Sequence, residues 1–140
     1  MPLLQEEIVA GAVAILDTTV LLAQPGIQFA EARVRFRTGP FLCVQVQDGK
    51  ALWVNITKQK DYRGLRLELV DKWRLEGSDI WQKQPQFVHD ARKAFIAPLQ
   101  AFVNSGAREL PYQPHKRPCV SEEGVQAVLA ELKKYRTPVL

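Results

Sequence analysis

Two apolar runs, Phe41-Leu42-Cys43-Val44-Gln45-Val46 and Ala51-Leu52-Trp53-Val54-Asn55-Ile56-Thr57, are separated only by Gln47-Asp48-Gly49-Lys50. Asp-Gly supplies the positive φ angles that a tight two-residue turn demands, so the pair reads as an antiparallel hairpin. Side chains alternate across a strand, which sends Leu52, Val54 and Ile56 to one face and Trp53, Asn55 and Thr57 to the other. The leucine-containing face is taken as inward. The segment feeding the hairpin, Ala32-Arg33-Val34-Arg35-Phe36-Arg37-Thr38-Gly39-Pro40, alternates as well. It sets Arg33, Arg35 and Arg37 in one basic row and turns Val34 and Phe36 inward. An arginine strand leading into a hairpin therefore constrains the fold and the chemistry together.

The remaining chain supplies further short strands and one clear helix. Residues 9–16 are small and apolar, as in a central strand, with a bend at Gly11. Residues 17–28 form a connector that ends in a Pro25-Gly26 turn. After the polar residues 58–64, Leu65-Arg66-Leu67-Glu68-Leu69-Val70 alternates again with its leucines inward. Trp73, Trp81 and Phe87 close the core around a turn at Glu76-Gly77-Ser78-Asp79. Residues 92–97 make another strand, Pro98 interrupts it, and a short helix follows over 99–103. Residues 104–120 are a proline-rich loop. Ser121 then caps a helix over 122–135, with Glu122 and Glu123 at its positive end, Lys133, Lys134 and Arg136 at its negative end and Pro138 beyond it.

This pattern predicts a mainly β (α+β) fold: a small bent antiparallel barrel over residues 9–97 with a C-terminal amphipathic helix, in a single domain spanning 1–140. A chain of 140 residues buries enough surface to fold without staples. Its two cysteines have neither zinc-site nor disulfide-framework spacing and read as free thiols in a reducing compartment. Neither a leader nor a run long enough to cross a bilayer is visible, so the expected location is cytoplasmic, away from membranes. Nineteen Lys and Arg against fifteen Asp and Glu leave a net charge of +4, which permits an anionic partner without demanding one.

Several residue groups carry candidate chemistry. Arg33, Arg35 and Arg37 suit a phosphate-tracking groove, and equally a charge-guarded strand edge. Trp53 offers a stacking face beside Asn55 and Thr57, and also suits core or dimer packing. Asp61 and Arg63 combine a base with a charge stabiliser on one loop, or form a surface ion pair. His89 beside Asp90 suits an imidazole held near neutral pKa for proton transfer, although adjacent strand residues face opposite ways. His115-Lys116-Arg117 is a basic loop tip. The sequence contains no phosphate-cradling glycine pattern, metal-ligand pair or nucleophile elbow, and no cofactor or metal is expected.

The chain resembles the PemK/MazF family of bacterial toxins, whose relative CcdB shares the fold. The resemblance lies in Gly11-Ala12-Val13-Ala14-Ile15, in Gly39-Pro40-Phe41-Leu42-Cys43-Val44, in the strand ending Asn55-Ile56-Thr57 and in the Val120-Ser121-Glu122-Glu123 opening of the last helix. It implies a homodimer, held in check by an antitoxin-like protein, that cleaves single-stranded RNA without a metal. The neighbouring ribose hydroxyl would be the nucleophile, so the protein has to move protons and stabilise charge on phosphorus. Thr57 matches the family's strand-end threonine. Where the family usually has Arg-Pro, this chain has Gly39-Pro40, and Arg37, two residues earlier on the same face, is the substitute. The implied catalytic set is Arg37, Thr57 and Asp61, with Arg33, Arg35, Trp53, Asn55 and Arg63 contacting nucleic acid. The alternative is a non-catalytic small barrel that binds an anionic or protein partner through the same face.

Overall fold

The computed structural model describes residues 2–29, 38–58, 66–106 and 116–140. The expectations for Arg33, Arg35, Arg37, Asp61, Arg63 and His115 fall outside them. The elements in order are β1 (Val13–Leu16), α1 (Thr18–Leu22), β2 (Gln28–Phe29), β3 (Gly39–Gln47), β4 (Lys50–Thr57), β5 (Leu67–Leu69), β6 (Arg74–Leu75), α2 (Asp79–Lys83), β7 (Gln86–Val88), β8 (Phe95–Pro98), α3 (Leu99–Ser105), β9 (Cys119–Val120) and α4 (Glu122–Lys134). The result is an α+β fold, mostly antiparallel sheet with a C-terminal helix.

The β3–β4 hairpin is the centre of the sheet. Its turn has φ of 53° at Asp48 and 75° at Gly49, the left-handed pair that an Asp-Gly hairpin turn requires. Seven strands join in the order β1-β3-β4-β7-β5, with β8 also on β4 and β2 on β8. Among the described residues the ends of this path do not pair with each other. β6 and β9 form a separate two-stranded sheet. The β3–β4 register shifts between Cys43 and Gln45, which makes Val44 the extra residue of a bulge. Past the bulge, Gln45 lies opposite Leu52, and its Oε1 accepts from the Leu140 amide at 2.9 Å, fastening the C-terminus to the sheet.

Both faces of the sheet are covered. Leu42, Val44, Leu52, Val54, Ile56, Leu69, Val88 and Ile96 pack with Val125, Val128, Leu129 and Leu132 of α4. These α4 positions follow the i, i+3, i+4, i+7 stripe of an amphipathic helix, and each buried Val or Leu is worth about 1.5–3 kcal/mol. On the opposite face Phe41, Cys43, Trp53 and Phe95 pack with Leu21 of α1 and with Ala101 and Phe102 of α3. A sheet clad on both sides does not show the simple in/out alternation expected of a half-exposed one.

Four expectations are corrected here. The strand expected over 92–97 is confined to Phe95–Pro98, with Arg92 and Lys93 in the turn before it and Pro98 itself paired with Lys50. The connector over 17–28 contains α1, which Asp17 caps by accepting from the amides of Thr19 at 3.0 Å and Val20 at 3.3 Å. The turn ending in Ser78-Asp79 opens α2, with Ser78 Oγ accepting from the Trp81 amide at 3.3 Å. The loop over 104–120 contains β9, and α3 runs on to Ser105. The end of α2 is held by Arg74, which is only 8% exposed and donates through Nη1 to the carbonyls of Trp81 and Gln84. A guanidinium at a helix C-terminus answers carbonyls that have no partner within the helix.

Candidate functional site

The site is set by a mismatch in how β4 is paired. Ile56 and Thr57 pair with Val88 and Phe87 of β7, whereas Trp53 pairs with Phe95 of β8. Residues 89–94 therefore span a stretch that only Val54 and Asn55 occupy on β4. His89 continues the ladder by one step, its amide donating to the Asn55 carbonyl at 2.9 Å, and the chain then turns away from the sheet.

That excursion is pinned from both sides. Asp90 Oδ1 accepts from the Arg92 amide at 2.9 Å and from Arg92 Nε at 3.0 Å, and Oδ2 accepts from Arg92 Nη2 at 2.8 Å. Lys93 Nζ lies 3.6 Å from Oδ2, and the Lys93 amide donates to the Asp90 carbonyl at 3.0 Å. Thr137, just past α4, donates its hydroxyl to the Ala91 carbonyl. Burial would raise the Asp90 pKa, but the Arg92 hydrogen bonds and the charges of Arg92 and Lys93 outweigh it and hold the carboxyl below its usual value. Asp90 is thus committed to the turn.

His89 is half-buried and lies on the sheet face of Asn55, Thr57 and Phe87, because residues level across paired strands share a face. Arg66, one residue before β5, lies level with His89 and donates Nη1 to its carbonyl. Burial, then the charges of Arg66 and Lys93, push the His89 pKa below 6.5, against a smaller opposing effect from Asp90. The imidazole is consequently neutral at pH 7, beside two cations.

The sequence-predicted residues divide into three groups. Asn55 and Thr57 are half-buried at this end of β4, with Asn55 Nδ2 donating to the Pro40 carbonyl at 3.3 Å. Trp53 is corrected: its ring is fully buried and stacks on Phe102 at a centroid distance of 5.4 Å, so it offers no face to a nucleobase. The cause is α3, which starts immediately after β8 and lies over that part of the sheet. Arg33, Arg35, Arg37, Asp61 and Arg63 are outside the described residues. Their tethers are not: β3 begins at Gly39 and β4 ends at Thr57, and the Phe41–Asn55 pairing puts both at one end of the hairpin. Comparison with protein-family models, curated proteins and solved structures returns no match.

Arg66 and the position of His89 were missed by reading the sequence. Arg66 looked like the polar residue of an alternating strand. His89 acquires its setting only from the β4–β7 register, for which Asp90 followed by Arg92-Lys93 was the sole local hint. The apolar cluster beneath α1 and α3 includes no residue of β5 or β7. Asn55, Thr57, His89 and Arg66, with Glu68 and Phe87 level beside them, accordingly form a mostly polar continuation of an otherwise apolar face.

Proposed function

We propose that the chain binds single-stranded RNA at this polar end of the sheet and cleaves it as a toxin-like, metal-independent endoribonuclease. The observation that carries the reading is the convergence of Asn55, Thr57, His89 and Arg66 at the end of the hairpin where the arginine-bearing segment enters and the segment bearing Asp61 and Arg63 leaves. Arg37 would stabilise charge on the phosphate, Thr57 would hydrogen-bond it, and Asp61 would assist the leaving oxygen through water. Arg33, Arg35, Arg63 and Asn55 would track the flanking strand. In this reading the sheet belongs to a small bent barrel of the PemK/MazF type. The chain is a cytoplasmic homodimer with an antitoxin-like partner, in keeping with two free cysteines, one of them Cys43, buried with its thiol pushed up to about 12. Among the described residues no helix is long and apolar enough to cross a membrane.

The test is incubation of purified protein with mixed-sequence single-stranded RNA in excess chelator. Cleavage to cyclic-phosphate ends is expected. Salt-sensitive binding without cleavage would replace this reading with the non-catalytic one. Light scattering should give twice the chain mass, and a concentration-independent single-chain mass would remove the dimer from the proposal.

A further inference from the structure

We propose that His89 is the general base of this site, taking the proton from the ribose 2′-hydroxyl next to the scissile phosphate of a bound single-stranded RNA, with Arg66 positioning the histidine through its carbonyl. The inference rests on the RNA-cleaving reading above and names the group that performs its first proton transfer.

The geometry supplies the argument. A strand that leaves a sheet after His89 and returns at Phe95 forgoes ladder hydrogen bonds, and such excursions are retained where they re-aim a side chain. This one is over-determined, because Asp90, Arg92, Lys93 and Thr137 all hold it. The pinning begins one residue after His89, whose amide is still fixed to Asn55 and whose carbonyl is fixed by Arg66. The imidazole is therefore carried on a backbone held on both sides, as a group positioned for proton transfer has to be. The charged groups acting on it are Arg66 from the β5 side and Lys93 and Asp90 from its own turn. Together with burial they keep the imidazole able to accept a proton at neutral pH.

The step balances without a metal or redox partner. A neutral ring nitrogen of His89 accepts the 2′-hydroxyl proton as the 2′-oxygen forms a bond to phosphorus. The bond from phosphorus to the 5′-oxygen breaks, leaving a 2′,3′-cyclic phosphate, and the departing 5′-oxygen takes a proton from water. The imidazolium then returns its proton to solvent.

The experiment measures single-turnover cleavage of single-stranded RNA in chelator, RNA affinity by filter binding, and thermal melting, for the wild type, His89→Gln, His89→Gly and Arg66→Gln. His89→Gln is expected to lose on the order of 10²–10⁴-fold in rate with RNA affinity and melting temperature little changed. Added imidazole should restore part of the His89→Gly rate, a response that a purely structural role would not give. The acid limb of the wild-type rate should lie below pH 6.5 and move upward in Arg66→Gln, which removes a cation that depresses the imidazole. If the wild type cleaves and His89→Gln keeps its rate within threefold, or if imidazole gives no rescue, the His89 assignment is overturned while the RNA reading stands. If the wild type does not cleave, both fall.

Discussion

Gly11 and Val120 are held closer than any side chain at position 11 permits. The Val120 amide donates to the Gly11 carbonyl at 2.8 Å, and a Cβ built on Gly11 would lie 2.5 Å from the Val120 carbonyl oxygen. Gly11 also has φ of +99°, a conformation that L side chains rarely adopt. Its own amide donates to the Cys43 carbonyl at 2.8 Å, so this one residue joins β9 to β3. Gly11→Ala is expected to destabilise by at least about 2 kcal/mol, from the backbone penalty and the clash with a carbonyl that cannot rotate away. A urea denaturation midpoint that does not move would contradict the close approach.

Much of this fold was legible in the sequence wherever one local rule decided the outcome. Asp48-Gly49 dictated the hairpin, Pro98, the last residue of β8, marked the passage into α3, and Ser121 with Glu122 and Glu123 marked the start of α4. The failures share a physical cause. Trp53 was placed on the outward face, with core packing as the alternative that the structure bears out, because alternation reveals two faces but does not reveal that α3 covers the second one. Asp17 was overlooked as a cap because Thr18–Leu22 is too short to display a helical period. His89 and Arg66 come together only through a register between strands distant in the chain, and no local spacing encodes that register.

The two ends of α4 should respond in opposite directions. Ser121 Oγ accepts from the Gly124 amide at 3.3 Å, and Ser121→Ala should cost about 1 kcal/mol through loss of that cap. At the other end Arg136 has φ of +57°. Its amide donates to the Lys133 carbonyl at 3.0 Å, and the Thr137 amide donates to the Leu132 carbonyl at 2.8 Å. This is a Schellman ending with a non-glycine residue in the left-handed position. Arg136→Gly should therefore stabilise by about 0.5–1 kcal/mol, since glycine relieves the strain at some cost in unfolded-state entropy. Melting curves of the two variants should fall on opposite sides of the wild type.

Stability should decline in two stages as pH falls. The folded-state pKa of His89 lies below its ordinary 6.5, so the unfolded chain takes up that proton first. Its contribution is complete above about pH 6.5 and is lost as pH drops from there toward the folded value. Glu7, whose carboxylate accepts from Arg117 Nε at 3.0 Å, and Asp90 both have lowered pKa values despite burial. Their contributions hold above their ordinary 4.5 and 3.8 and fade below them. Denaturation midpoints measured from pH 8 to pH 3 should show both declines, and His89→Gln should abolish only the first. A His89→Gln profile that still falls between pH 6.5 and 5 would show that another group governs that stage.

The arginine row separates strand tracking from catalysis. If Arg33, Arg35 and Arg37 each contact a phosphate of bound single-stranded RNA, replacing any one with Ala should weaken binding irrespective of sequence. The dependence of log K on log salt should become shallower by about 0.7 for each contact removed. If Arg37 instead stands beside the reacting phosphate in place of the arginine that Gly39 displaces, Arg37→Ala should abolish cleavage while Arg33→Ala leaves most of it. A charge stabiliser acts only where charge develops, whereas a tracking contact contributes alike to ground state and transition state. Trp53→Phe provides the contrasting case. With its ring stacked on Phe102 inside the core, the substitution should lower the melting temperature and leave RNA affinity unchanged. Three arginine variants with wild-type affinity and salt slope would mean that the row is a solvated strand face, and RNA binding would then have to rest on Arg63 and Asn55.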